Sequence, residues 1–223
     1  LKRVSLELGG KSPNVIFADA DMASAVRGAQ WAVFSTAGQE CVAGSRLFVA
    51  RKIYDEVLDG LKQNVEKMVV NHGFAEKVHV GPVINDVQRN RIMEYIGEGK
   101  ESGAEVITGG EVVEGIGDGY FVQPTVFAYE DDSLRIVQEE IFGPVAAVTP
   151  FDDYDELIAR ANDTQYGLAA GVWTCDIGTA HRFAHDVQAG TVWINGYGMI
   201  DTAEPFGGYK MSGFGREMGK EAI

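Results

Sequence analysis

Val145-Ala146-Ala147-Val148-Thr149-Pro150-Phe151 opens the stretch of chain that decides the fold. After this apolar run, residues 154–161 carry a helical period, Ala169–Trp173 is a second apolar run, residues 179–187 a second helix and 191–195 a third strand. Strands that are apolar on both faces, alternating with amphipathic helices, belong to a sheet covered on both sides. The rhythm extends toward the N-terminus. Strands are expected at residues 4–8, 14–17 and 47–50, and helices at 21–36, capped by Asp21, and at 52–69 and 83–99. Another strand falls at Glu105–Thr108, and glycines at 109, 110, 115, 117 and 119 mark a hairpin region. The pattern predicts an α/β fold of three layers, an open, mainly parallel twisted sheet with helices on both faces.

Composition narrows the function classes. With 223 residues, 45% of them hydrophobic, the chain can fill a large core. Its formal charge of −14 repels nucleic acid and anionic lipid, so neither is an expected partner. Cys41 and Cys175 are the only cysteines and offer no disulfide framework, which fits a reducing, cytoplasmic location. No apolar run reaches the roughly 18 residues of a membrane helix. The chain begins with Leu1 and ends within a helical pattern, as a piece of a longer protein would.

Two segments carry chemistry. Gly38-Gln39-Glu40-Cys41-Val42-Ala43-Gly44-Ser45-Arg46 places a thiol among small residues just before a strand. Val4-Ser5-Leu6-Glu7-Leu8-Gly9-Gly10-Lys11 places a carboxylate in an apolar strand just before a glycine pair. A thiol that attacks a carbonyl and a carboxylate that activates water form a workable pair for covalent catalysis. Each has a plainer reading, Cys41 as a small buried hydrophobe and Glu7 as a solvent-facing strand residue. Sequence spacing does not decide between them. Gln138-Glu139-Glu140-Ile141-Phe142-Gly143-Pro144 reads equally as a site for ribose hydroxyls or as an acidic helix end. His181 and His185 have zinc-compatible spacing but no third ligand, so no metal is expected. No G-x-G-x-x-G or P-loop pattern occurs.

Taken in order, Leu6-Glu7-Leu8-Gly9-Gly10-Lys11, Gly38-Gln39-Glu40-Cys41, Glu139-Glu140-Ile141-Phe142-Gly143-Pro144 and Pro205-Phe206-Gly207-Gly208-Tyr209-Lys210 resemble the NAD(P)-dependent aldehyde dehydrogenase superfamily. The resemblance runs along essentially the whole chain. It implies that Cys41 is the nucleophile toward an aldehyde and Glu7 the general base that hydrolyses the resulting thioester. It further implies that Glu140 holds the nicotinamide ribose of NAD, or of NADP, that Phe142 is its neighbour at the nicotinamide end, and that the Leu8 backbone touches the nicotinamide side of the pocket. Phe206 and Asn195 are implied at the aldehyde pocket. Residues 1–9 are expected to be a remnant of a cofactor-binding domain, 10–211 a catalytic domain and 212–223 the start of a C-terminal segment. The family's remaining cofactor surface lies upstream of Glu7, so the chain alone is expected to have little or no NAD-linked activity. The full-length parent is expected to be a homodimer or homotetramer.

Three rivals follow from the same residues: a cysteine hydrolase or esterase without nicotinamide, an assembly module without a working site, and a branch that passes the acyl group to coenzyme A. The presence of Glu7 favours hydrolysis over the last.

Overall fold

The computed structural model describes residues 2–222. In chain order its elements are β1 (Leu6–Glu7), β2 (Pro13–Ile16), α1 (Met22–Phe34), β3 (Arg46–Ala50), α2 (Tyr54–Glu66), α3 (Asp86–Glu101), β4 (Glu105–Thr108), β5 (Thr125–Ala128), α4 (Arg135–Gln138), β6 (Val145–Phe151), α5 (Tyr154–Asn162), β7 (Tyr166–Gly167), β8 (Ala169–Trp173), α6 (Ile177–Asp186), β9 (Thr191–Ile194), β10 (Tyr209–Lys210) and β11 (Gly213–Phe214). Seven strands form one sheet in the order β4-β5-β6-β3-β2-β8-β9, parallel throughout except for the antiparallel pair β4–β5. This is the expected three-layer α/β architecture.

Side-chain alternation divides the core in two. Ile16, Leu47 and Val49 face α1, α2 and α3, where Val33, Leu61 and Ile96 are buried. Their neighbours Val15, Phe48 and Val172 face α5 and α6, against Leu157 and Phe183. The helices start where a side-chain oxygen meets the free amides of the first turn: Asp21 accepts from Ser24, Asn85 from Gln88, Asp153 from Asp155 and Glu156, and Asp176 from Thr179.

The structure departs from the sequence reading at several places. The strand expected at residues 4–8 shortens to β1, which stays outside the main sheet and pairs with β11 near the other end of the chain. With Val4, Leu6 and Leu8 exposed, it lacks the two-sided burial of a central strand. Thus the terminal segments expected to belong to different domains pair with each other. Helix α2 begins at Tyr54 because Arg51–Ile53 is a 3₁₀ turn, and the acidic linker before β6 contains the one-turn helix α4.

Arg46 joins the layers. Only 1% exposed, its guanidinium donates from Nε to the Lys11 carbonyl at 2.9 Å, from Nη1 to Arg160 at 3.2 Å and from Nη2 to Ala161 at 2.7 Å. The last two carbonyls belong to the final turn of α5, where a helix leaves its acceptors unpaired and its dipole favours a cation. Replacing Arg46 with Met is therefore expected to strand the Lys11 and Ala161 carbonyls, the Arg160 carbonyl keeping the Asp163 amide, and to cost about 2 kcal/mol or more. Urea unfolding with a lower midpoint and an unchanged slope is the check.

Candidate active site

The site lies where β2, β3 and β6 begin. Helix α1 ends at Phe34, and the following turn bends sharply, with Thr36 and Ala37 in the left-handed region at φ 49° and 56°. That bend delivers Gly38 to Cys41 ahead of β3. Two contacts hold the loop beyond it: the Gly44 amide donates to the Ala32 carbonyl on α1 at 2.9 Å, and the buried Tyr197 hydroxyl donates to the Val42 carbonyl at 2.7 Å.

Gly9 and Gly10 bring the pieces together. A Cβ on Gly10 would lie 2.2 Å from the Cys41 carbonyl oxygen, and one on Gly9 would lie 2.4 Å from Glu140 Oε2. Only glycine permits this approach. The Gly10 amide donates to Glu140 Oε1 at 3.1 Å. The question that sequence spacing left open is answered: the Glu7 segment, the Cys41 loop and the Glu140 turn meet, and the charges of Glu140 and Glu7 are both felt at the Cys41 thiol.

Helix α3 fixes the third piece. Gln88 Nε2 donates to the carbonyls of Ile141 at 3.0 Å and Phe142 at 2.8 Å, and Arg91 Nη2 to that of Glu140 at 2.9 Å. Phe142 is held at φ 57°, a costly conformation for an aromatic residue. Glu139 turns away to Tyr95 and Arg135, leaving Glu140 to face Gly9 and Gly10.

Electrostatics give the thiol a direction opposite to activation. Burial first, then Glu140 and Glu7, push the Cys41 thiol above its ordinary range, while the amides of Cys41 and Val42 pull it back by favouring the charged sulfur. Burial and neighbouring Glu217 raise the Glu7 carboxyl, against Arg216. Burial also raises Glu140, against the Gly10 amide and the Arg91 and Lys11 cations. Lys11, 2% exposed, is lowered to about 7 by burial and by Arg46, with Glu140 and Glu139 opposing.

The other expected site residues are placed less uniformly. Leu8 donates its amide to the Ser212 carbonyl at 3.0 Å and leaves its side chain exposed. Phe206 exchanges two 2.7 Å backbone hydrogen bonds with Glu217 and packs on the core that Cys41 also touches. Asn195, implied at the pocket wall, has its side-chain amide engaged within the fold. It follows β9 at the opposite edge of the sheet, and its side-chain amide is taken up by Thr174, accepting from the Thr174 amide at 3.0 Å and donating to its carbonyl at 2.9 Å. There it clamps the end of β8. Sequence reasoning missed Gln88, Arg91, Tyr197 and Ser212, whose roles depend on contacts distant in the chain. Among the described residues no group of three His, Cys, Asp or Glu side chains could hold a metal ion, and no helix is long and apolar enough to cross a membrane.

Comparison with known proteins agrees with this geometry. The aldehyde dehydrogenase family model matches residues 1–223. The chain belongs to the aldehyde dehydrogenase family. It is 51% identical over 220 residues to aldehyde dehydrogenase family 2 member B4 (mitochondrial) of Arabidopsis thaliana, covering 98% of this chain and 40% of that protein. Betaine aldehyde dehydrogenase 1 of Rhizobium meliloti is 48% identical over 224 residues, covering 100% and 46%. Among solved structures, the NAD+ complex of a Bacillus cereus aldehyde dehydrogenase superposes with a TM-score of 0.96 at 50% identity, covering 99% of this chain and 45% of that one. Staphylococcus aureus betaine aldehyde dehydrogenase with NAD+ gives 0.97 at 45% identity, covering 100% and 44%. The chain thus spans less than half the length of these relatives.

Because the Cys41 thiol is raised, the thiolate fraction at pH 7 is smaller than that of an ordinary cysteine, and alkylation should climb with pH past the usual thiol range. Glu140→Gln removes a neighbouring anion and should make labelling at pH 7 faster. Peptide-resolved iodoacetamide rates at Cys41, with Cys175 as the internal standard, check both expectations.

Proposed function

We propose that this chain carries the acyl-transfer site of an aldehyde dehydrogenase, with Cys41 as nucleophile and Glu7 as the base for hydrolysis. The observation that carries the reading is the contact of Gly9 and Gly10 with both Cys41 and Glu140. It brings a thiol and two carboxylates from three separate segments to one place. In the whole enzyme the substrate is an aldehyde and the product a carboxylate, and a homodimer or homotetramer is the proposed assembly.

The residues present fit a nicotinamide cofactor. Glu140 is only half-buried, one oxygen is held by the Gly10 amide, and the other packs against Gly9. That carboxylate suits a pair of ribose hydroxyls, with Phe142 and the Leu8 backbone beside the ring. Relatives described as NAD+ complexes support NAD, and NADP is compatible with the same groups. When bound, the cofactor supplies a hydride acceptor.

Alone, these 223 residues are proposed to act at most as a cysteine-dependent esterase. Attack by Cys41 Sγ forms the S–C bond and breaks the C–O bond of an activated ester, the thiol proton leaving with the alcohol. Water then forms a C–O bond and breaks the S–C bond. Glu7 takes the water's proton and the sulfur is reprotonated. A raised Glu7 accepts that proton readily but is ionised only above its raised range, so deacylation should increase as pH rises through it.

The test uses p-nitrophenyl acetate. A burst followed by slow turnover is expected, with Cys41→Ser abolishing both. Glu7→Gln should keep the burst and slow deacylation by about 10²-fold or more, with acetyl-Cys41 accumulating by mass. The same preparation given an aldehyde and NAD+ should form little or no NADH. Ester turnover that survives Cys41→Ser would defeat the reading.

A further inference from the structure

The glycine-spaced loop after Phe206 ends at a residue with no role so far. Ser212 is 0% exposed, and every polar group it has is engaged. Its Oγ donates to the Gly9 carbonyl at 2.6 Å and accepts the Gly167 amide at 3.0 Å. Its carbonyl accepts the Leu8 amide and its own amide donates to Tyr209, both at 3.0 Å. Immediately beyond it, β11 pairs with β1, setting Gly213 opposite Glu7. Leu8 and Gly9, the two residues that follow Glu7, are thus each tied to Ser212.

The loop carrying Ser212 is itself anchored. Lys210 Nζ donates to the carbonyls of Asn162 at 2.7 Å and Thr164 at 3.1 Å, at the end of α5, and β10 pairs with β7. Glu7 has no such anchor of its own: its segment lies outside the main sheet, and β1 is two residues long. The main-chain position of Glu7 is therefore set from one side by β11 and from the other by Ser212.

We infer that Ser212 is a positioning residue for hydrolysis, holding the Leu8–Gly9 peptides so that Glu7 can reach the water that attacks acyl-Cys41. The inference rests on the proposed roles of Cys41 and Glu7. Cys41 sits on a different loop with its own ties to α1 and Tyr197, and meets the segment that Ser212 holds at Gly10. Loss of the Ser212 hydroxyl should therefore slow deacylation and spare acylation. A displacement of about 1 Å at a reacting group can cost 10²-fold.

The experiment follows p-nitrophenyl acetate hydrolysis by the whole chain, wild type and Ser212→Ala, reading burst amplitude, burst rate, steady-state rate and acetyl-Cys41 mass. Burst amplitude counts folded, competent sites. The expected result is an unchanged burst, deacylation slower by roughly 10- to 100-fold, and a deacylation pH midpoint lower than in wild type because a loosened Glu7 gains water. Ser212→Thr, which keeps the hydroxyl, should restore wild-type partition.

Ser212→Cys preserves volume while weakening both side-chain hydrogen bonds, and it should show the same loss in smaller degree if the alanine variant does not fold. Burst and steady state falling together, with an unmoved pH midpoint, would make Ser212 a purely structural residue and overturn the inference. A wild type without acetyl-Cys41, or a Glu7→Gln variant that deacylates normally, would instead fail the underlying proposal.

Discussion

A single buried guanidinium holds this structure in register. Among the described residues Arg46 has no carboxylate within salt-bridge distance, yet it is among the largest fully buried side chains. Its charge is stabilised by three carbonyls and by the negative end of α5. Burying an arginine is costly unless its donors are satisfied, so the segments that supply the acceptors have little freedom. They are the start of β2, just after Gly9 and Gly10, and the last turn of α5. Since Arg46 itself opens β3, five residues after Cys41, the same contact sets where the thiol loop stands relative to the glycine pair. Lys210 serves the same helix end from another direction. Two cations on one helix terminus thereby connect the loops that bear Cys41, Glu7 and Ser212.

The site occupies an unusual edge of the sheet. In open α/β sheets ligands commonly gather outside the carboxyl ends of the strands, where strand order reverses. Here order reverses about β2, whose neighbours are β3 and β8. The carboxyl ends of β2 and β8 are closed by side chains. Asp19 accepts from the Thr174 hydroxyl at 2.8 Å and the Cys175 amide at 3.0 Å, and Asn195 clamps Thr174 from β9. The reactive groups stand at the amino ends instead, on the loops that precede β2, β3 and β6.

What could be read from the sequence follows from how local the cause is. The sheet was legible because two-sided burial leaves unbroken apolar runs, as in Val145–Phe151 and Ala169–Trp173. The helix starts were legible where an Asp or Asn side chain caps its own first turn. The exposed ribbon of β1 and β11 was not, because its pairing joins residues more than 200 positions apart. Cys41, Glu7 and Glu140 could be picked out by motif, but their meeting depends on what a Cβ would strike at Gly9 and Gly10. Asn195 shows a similar limit: its two hydrogen bonds to Thr174, 21 positions away, leave no mark in the sequence. A strand such as β3 that opens with a charge was the available sign of Arg46's role, and it becomes informative only once α5 is seen to end beside it.

Gly10 leaves one consequence for how this family can vary. Because its backbone lies against the Cys41 peptide while its amide holds Glu140, the two reactive loops are joined through main chain. The Glu140 carboxylate is the side chain that completes that junction. A substitution elsewhere around the pocket can therefore change its lining without parting the two loops at Gly10.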